Sequence, residues 1–193
     1  MRATASDIVS SEGEELILVD EDDNQLGTLS KANCHDGDGV LHRAFSLFLF
    51  DVRGNLLLQQ RSSMKRLWPL YWSNSCCSHP RSGETMQEAT RRRLRQELGV
   101  VADLQFIYKF GYHARFEEIG SERELCSVFL GRIDGEVAAN RNEIADVRYV
   151  KAAELTSALQ QDGERYTPWL HMEWRRLNDD YGECLAQYTS PVA

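Results

Sequence analysis

Apolar and polar positions alternate along the chain at two periods, and the switches between them divide it into strands and helices. Leu16 to Val19 and Leu26 to Leu29 are short apolar runs on either side of the acidic Asp20 to Gln25, which predicts a β-hairpin. Lys31 to Leu41 (KANCHDGDGVL) is rich in Gly and Asp and reads as a loop. His42 to Asp51 (HRAFSLFLFD) places Phe45, Leu47 and Leu49 on one face and Phe48 and Phe50 on the other, the pattern of a central strand covered on both sides. Gly54 turns the chain back into Leu56 to Gln60, and the pairing of these two strands is expected to be the most secure part of the sheet. Glu84 to Leu98 contains neither Gly nor Pro. Its Met86, Ala89, Leu94 and Leu98 fall at mainly helical spacings, and Gly99 ends the helix. Leu104 to Phe116 and Glu122 to Ile133 read as strands, the first with a bulge at Gly111, and Val147 to Val150 as the last strand. Two helices complete the pattern, Ala152 to Gln161 and Pro168 to Tyr181, the second with Thr167 as N-cap and Pro168 at its first position.

With 193 residues, of which 42% are hydrophobic, the chain supports one full core and so one domain. The expected division is a flexible N-terminal tail over 1–14, a domain over 15–178 and a C-terminal tail over 179–193. A net charge of -8 speaks against a general affinity for nucleic acid or anionic membranes, so a phosphorylated partner has to be met by a local basic cluster or by metal. The apolar runs are far too short to span a bilayer, and Met1 to Ser11 lacks the apolar core of a signal peptide. A cytoplasmic protein acting on a small molecule is expected, as a monomer or weak homodimer. Its five cysteines, an odd number with an adjacent pair, are expected to be thiols.

Candidate chemistry gathers at Trp72 to Gly99 (WSNSCCSHPRSGETMQEATRRRLRQELG). Cys76, Cys77 and His79 sit on the loop entering the predicted helix, and Arg61, Lys65, Trp68 and Tyr71 precede them. On the strand from Glu122, Glu122 and Glu124 share one face. With His35 and His42 flanking one loop and His79 on another, three imidazoles and two carboxylates make a mixed set suited to a divalent cation; spacing alone equally allows surface or capped residues. The ligand types admit Mn, Mg or Zn.

Counting back from Gly99, Glu84, Arg92, Leu94 and Glu97 fall where the Nudix box has its first Glu, its Arg, its apolar residue and its last Glu. Ser78 stands at the box's opening Gly, and Arg93 and Gln96 replace two of its acids. Together with WSNSCCSHP upstream and SERELC downstream, this altered box resembles that of the type I isopentenyl-diphosphate isomerases, over roughly Leu16 to Trp174. The resemblance implies an α/β (α+β) single domain of Nudix type, with a mixed β-sheet sandwiched between helices. It also implies interconversion of isopentenyl and dimethylallyl diphosphate through a tertiary carbocation. Cys77 and Glu124 then match the acid–base pair, Tyr112 the hydrogen-bond partner of the carboxyl, and Trp169 the indole that steadies the cation. From the residues alone, a Trp early in an amphipathic helix is better explained by core packing. His35, His42, His79, Glu122 and Glu124 match the metal ligands, and Glu97 the residue holding a second ion, Mg bridged to the substrate diphosphate. Lys31, Arg61, Lys65 and Arg93 match the diphosphate-binding cations. Two other readings stand beside this one: a Nudix hydrolase of a nucleoside or other diphosphate, favoured by Glu84, Arg92 and Glu97, and a metal-stabilised binding module.

Overall fold

In the computed structural model, which describes residues 8–192, the strand at the centre is β3, His42–Phe50. It is built as its sequence predicts: Phe45, Leu47 and Leu49 face one core and Phe48 and Phe50 another, all fully buried. Before it come the antiparallel strands β1 (Glu15–Val19) and β2 (Gln25–Ser30), then the short helix α1 (Lys31–His35). The predicted loop thus begins as helix, because the Ser30 hydroxyl caps it by accepting from Asn33 N at 3.4 Å.

The expected tight pairing of β3 with β4 (Leu56–Arg61) is not what holds the sheet. The two meet only at Phe50↔Leu56, beside the turn in which Asp51 Oδ1 accepts from Arg53 N and Asn55 N. Beyond that point they diverge, and the segment carrying the cysteines fills the gap. Strand β5 (Trp72–Ser73) pairs with β4, and β6 (Cys76–Ser78) pairs with β3. Between them the Ser75 hydroxyl donates to Leu57 O at 2.6 Å and accepts from Leu49 N at 2.8 Å, replacing the ladder bonds that the divergence removes. The other partners of β3 and β4 come from later in the chain. Strand β7 (Leu104–Phe116) and strand β8 (Gly120–Arg132) form a long hairpin, and β8 runs parallel to β3 from His42↔Glu124 to Phe50↔Arg132. Strand β9 (Ile144–Val150) pairs with β4. The irregularity in β7 lies between Phe106 and Tyr108, not at Gly111, which stays in register opposite Leu125.

One face of the sheet is covered by α2 (Met86–Arg93), whose Ala89 packs on Phe45, Leu47 and Leu57 together with Leu94 and Leu98. Thr85 and Glu88 form a capping box at its start, a π-helical turn over Leu94–Leu98 continues it, and Gly99 ends it at φ 70°. The other face is covered by α3 (Ala152–Gln161), α4 (Pro168–Asp180) and α5 (Gly182–Thr189), through Leu155, Leu170, Trp174, Leu177 and Leu185. Burial of each large apolar side chain is worth about 1.5–3 kcal/mol, so α4 is firmly docked and the position of its first turn is fixed. The mixed sheet between helices is the expected fold class.

The stretch after residue 178 is not simply a tail. Leu185 of α5 is buried, and Arg132 donates to Ser190 O at 2.9 Å. Of the expected N-terminal tail, residues 1–7 lie outside the described residues, and in 8–14 the segment is hydrogen-bonded to the start of α1, with Lys31 N donating to Glu14 O at 2.8 Å and Ala32 N to Glu12 O at 2.9 Å. No helix among the described residues is long and apolar enough to cross a membrane.

Gly54 has φ 81°, and a Cβ there would lie 2.3 Å from Thr189 O. Gly54→Ala is therefore expected to cost about 2 kcal/mol or more, by straining the turn and pushing off the end of α5. Urea denaturation measures it, with a lower midpoint as the expected outcome.

Candidate active site

Alternation along β8 puts Glu122 and Glu124 on one face, and the parallel register sets Glu124 beside His42 of β3. His79 enters next to them directly after β6, and His35 from the end of α1. His42 Nε2 lies 3.4 Å from His35 Nε2 and 3.2 Å from His79 Nε2. Glu122 Oε2 is 3.1 Å from His35 Nε2, and Glu124 Oε1 is 3.0 Å from His79 Nε2 and 3.7 Å from His42 Nε2. All five side chains are buried. The close approach of His35 depends on Gly120, where a Cβ would stand 2.2 Å from His35 O.

These residues fit a divalent cation. One ligand atom from each of His35, His42, His79 and Glu122 lies within 4.8 Å of the others, and Glu122 Oε2 is otherwise without a hydrogen-bond partner among the described residues. His42 Nδ1 donates to Val40 O at 2.7 Å, which fixes the tautomer and leaves the Nε2 lone pair facing the cluster. Burial pushes His35 far below its ordinary range, helped by the other two imidazoles, and takes His79 down to about 4. Burial and then the neighbouring Glu124 raise Glu122 to about 7. Burial would also raise Glu124, but hydrogen bonds with His42 and His79 outweigh it and hold the carboxyl well below the usual range. Burial would lower His42, but the adjoining Glu124 outweighs it and raises this imidazole above its ordinary range. His35 and His79 are the neutral donors, beside carboxylates, of the kind a metal requires.

The acid–base candidates adjoin this cluster. Tyr112 Oη donates to Glu124 Oε2 at 2.7 Å. Cys77 Sγ donates to Asn74 Oδ1 at 2.8 Å, with Ser46 Oγ at 3.5 Å and Ser73 Oγ at 3.9 Å. Burial, then the charges of Glu173 and Glu124, push this thiol up to about 12, so it is a thiol at neutral pH. The Trp169 indole donates to Ser73 Oγ at 2.9 Å and takes the edge of Trp68 at a ring separation of 5.2 Å. The Arg61 guanidinium lies over the Trp169 ring, 5.2 Å from its centroid. A cavity of about 40 Å³ is lined by Cys77, His79, Tyr112, Glu122, Glu124 and Trp169 together with the cations Lys31, Arg61 and Lys65. The same three cations line an adjoining cavity of about 240 Å³ together with His35, Glu122 and Glu143.

Arg93 and Glu97 line neither cavity. They are a buried ion pair at 2.7 Å, and Arg93 also donates a short hydrogen bond to Val9 O. Glu84 is bound by Arg92 through two hydrogen bonds of 2.7 and 2.8 Å, and Arg92 also donates to His79 O at 3.3 Å, tying α2 to the histidine loop. Cys76 is buried against α2 on the face opposite Cys77, as the alternation predicts. Cys34 and Cys126 are buried, and Cys184 is half-buried.

The NUDIX domain family matches residues 40–170. Isopentenyl-diphosphate Delta-isomerase 1 of Photorhabdus laumondii is 39% identical over 174 residues, 89% of this chain and 99% of its own. The isopentenyl-diphosphate Delta-isomerase of Burkholderia multivorans is 42% identical over 158 residues, 82% of this chain and 89% of its own. The chain belongs to the isopentenyl-diphosphate Delta-isomerase family, within the NUDIX fold. Among solved structures, DR0079 of Deinococcus radiodurans superimposes with a TM-score of 0.70 at 26% identity, covering 84% of this chain and 98% of its own. The MutT protein of Methanosarcina mazei shares the fold, with a TM-score of 0.56 at 16% identity over 72% of this chain and 96% of its own.

Several residues at the site were not singled out from sequence: Ser46, Ser73, Asn74, Glu143 and Glu173. The polar run Ser73–Asn74–Ser75 beside the cysteines was the available signal for Ser73 and Asn74. Nothing in the sequence marks Glu173, one turn beyond Trp169 on α4. It is fully buried; Oε1 accepts from Cys126 Sγ at 3.6 Å and Oε2 has no partner among the described residues.

Burial raises the Glu173 carboxyl to about 8. A carboxyl raised in the fold adds no penalty below its unfolded value of 4.5, and costs stability increasingly as pH rises from there to about 8. At pH 7 this is on the order of 3 kcal/mol. Glu173→Gln is expected to be more stable than the wild type at pH 7–8 and to lose that advantage near pH 4.5. Urea midpoints across this range measure the difference, and equal pH profiles for the two proteins contradict the assignment.

Proposed function

We propose that this chain interconverts isopentenyl and dimethylallyl diphosphate, by adding a proton at one carbon and removing one from another through a tertiary carbocation. The carrying observation is the small cavity, onto which a thiol, a carboxylate and an indole open together beside the His/Glu cluster and three cations. Family membership supports the same reading.

Cys77 and Glu124 are the proton-handling groups. The thiol at rest is protonated and Glu124 is ionised, so the resting site holds one donor and one acceptor. Tyr112 keeps one Glu124 oxygen oriented. Asn74 holds the thiol proton toward Oδ1, and Ser46 and Ser73 supply polar contacts that steady the sulfur when it gives that proton up. The Trp169 ring offers a π face that attracts a cation without bonding to it, worth about 2 kcal/mol when desolvated, or a factor of tens in rate. Its hydrogen bond to Ser73 and its edge contact with Trp68 fix the ring plane. Arg61 lies against this ring in the free site, so substrate entry shifts that guanidinium outward toward the diphosphate.

His35, His42, His79, Glu122 and Glu124 would hold a divalent cation, Mn, Mg or Zn, which when bound supplies positive charge beside Glu124 and the diphosphate. Glu97 is the proposed residue for a second ion, Mg brought with the substrate, and Arg93 a basic residue for the same end of the substrate. Both are paired with each other here, so that role requires the pair to open. Lys31, Arg61 and Lys65 face the larger cavity, which is the one with room for a diphosphate. The five-carbon chain would then enter the smaller cavity, whose volume of about 40 Å³ requires its wall to move outward. The reading is of a cytoplasmic enzyme, monomeric or weakly dimeric, working on a small diphosphate and not on nucleic acid or membrane.

A hydrolase reading is weaker: Arg93 and Gln96 stand where the hydrolytic box has acids, and Glu84 is neutralised by Arg92. The deciding experiment is proton NMR with isopentenyl diphosphate and Mg or Mn in deuterated water, with a phosphate assay on the same tube. Methyl signals of dimethylallyl diphosphate with incorporated deuterium are the expected outcome. An unchanged alkene with released phosphate would mean a hydrolase. Cys77→Ala and Glu124→Gln are each expected to lower kcat at least a thousandfold, with the circular dichroism spectrum unchanged; substantial turnover in either removes that residue from its role.

A further inference from the structure

The larger cavity is an anion site with an anion in its wall. Besides Lys31, Arg61 and Lys65 it is lined by the carboxylates Glu12, Glu122 and Glu143, of which Glu143 is deeply buried and is not used by the reading above. The backbone of Glu143 is pinned on both sides: its N–H donates to Asn140 O at 3.0 Å and its carbonyl accepts from Ser62 N at 2.9 Å. The residue is 2% exposed. Its Oε2 forms a short ion pair with Lys65 Nζ, and Oε1 accepts from Val9 N at 3.3 Å. Burial would raise this carboxyl, but Lys65, followed by Arg93 and Lys31, outweighs it and keeps it below the ordinary range. The negative charge is therefore present at neutral pH and cannot swing away when another anion arrives.

Substrate and product of the proposed reaction carry the same diphosphate, remote from the carbons that change. Affinity gained at the diphosphate is shared by ground and transition states, so it raises the fraction bound without lowering the chemical barrier, and it delays release. We propose that Glu143 is a built-in counter-anion of the diphosphate subsite: it keeps Lys65 in place while the subsite is free, and repels bound diphosphate enough for product to leave. Glu143 is thus a positioning residue, acting through Lys65 and through its charge. The proposal rests on the diphosphate reading of this cavity.

The test is Glu143→Gln, which removes the charge and keeps one of the two acceptor oxygens, enough for either Val9 N or Lys65. Binding of inorganic pyrophosphate in the presence of Mg is followed by calorimetry, and kcat and KM are measured separately. The variant is expected to bind pyrophosphate at least about fivefold more tightly, with KM and kcat both lowered, and Glu143→Asp, which retains the charge, to bind it within about twofold of the wild type. A purely structural role predicts the opposite sign, because a loosened Lys65 binds less well. Equal or weaker binding by the folded Gln variant overturns the proposal. Absence of pyrophosphate binding in the wild type overturns the diphosphate reading and the proposal with it. Should Glu143→Gln not fold, the pair is removed as a unit by Glu143→Leu with Lys65→Met, for which affinity within about threefold of the wild type is expected because the two charges cancel at the ligand. A loss of tenfold or more there overturns it.

Discussion

The Ser75 hydroxyl, bonded at once to Leu49 N and Leu57 O, is the contact on which the rest of the site depends. Two buried central strands that part company leave backbone donors and acceptors facing each other across a gap, and each buried group left unpaired costs about 1–3 kcal/mol. Filling the gap with Trp72–Ser78 satisfies those groups, and Asn74 adds a bond from Nδ2 to Leu47 O at 3.2 Å. The same seven residues deliver Cys77 to the sheet interior and His79 to the His/Glu cluster immediately beyond it. A segment that looks like a loop in sequence is therefore a structural wedge with chemistry on one side.

Because the wedge lies inside the sheet, its functional groups are out of water, and that sets their protonation. The thiol stays protonated, His35 and His79 are held neutral, and Glu124 is strongly favoured as an anion by its hydrogen bonds with His42 and His79. Glu122 and Glu173, without such donors, are raised toward neutrality or past it. Three carboxyls in one dry region thus differ in charge because their hydrogen-bond partners differ. In the proposed reaction, the division of the site into a small chamber lined by Cys77, Tyr112 and Trp169 and a larger cation-lined cavity separates proton handling from anion binding.

Strand and helix periodicity was legible wherever one period ran unbroken: in β3, in β7 and β8, in the helix ending at Gly99, and in α4 from Pro168. The two faces of β3 and the shared face of Glu122 and Glu124 follow directly from side chains alternating every residue. What periodicity could not supply was partner choice. His42 to Asp51 and Leu56 to Gln60, joined by a tight turn, promise a hairpin, and only the competition from Trp72–Ser78 and from β8 and β9 pulls them apart. The helix at Gly182–Thr189 escaped notice because its apolar residues are few and are needed only by a neighbouring surface.

The candidate residues were named by motif, but their company was decided in space. The sequence by itself determined the residue types, their alternation and the altered box, and so the fold family and the groups able to carry protons or metal. Only the tertiary structure decided that His35, His42 and His79 converge, that Arg93 is committed to Glu97, and that Glu143 and Glu173 are buried beside the chemistry. The reason is physical: spacing along a chain fixes which face a side chain takes, whereas charge state and partnership depend on which distant segments share a region without water.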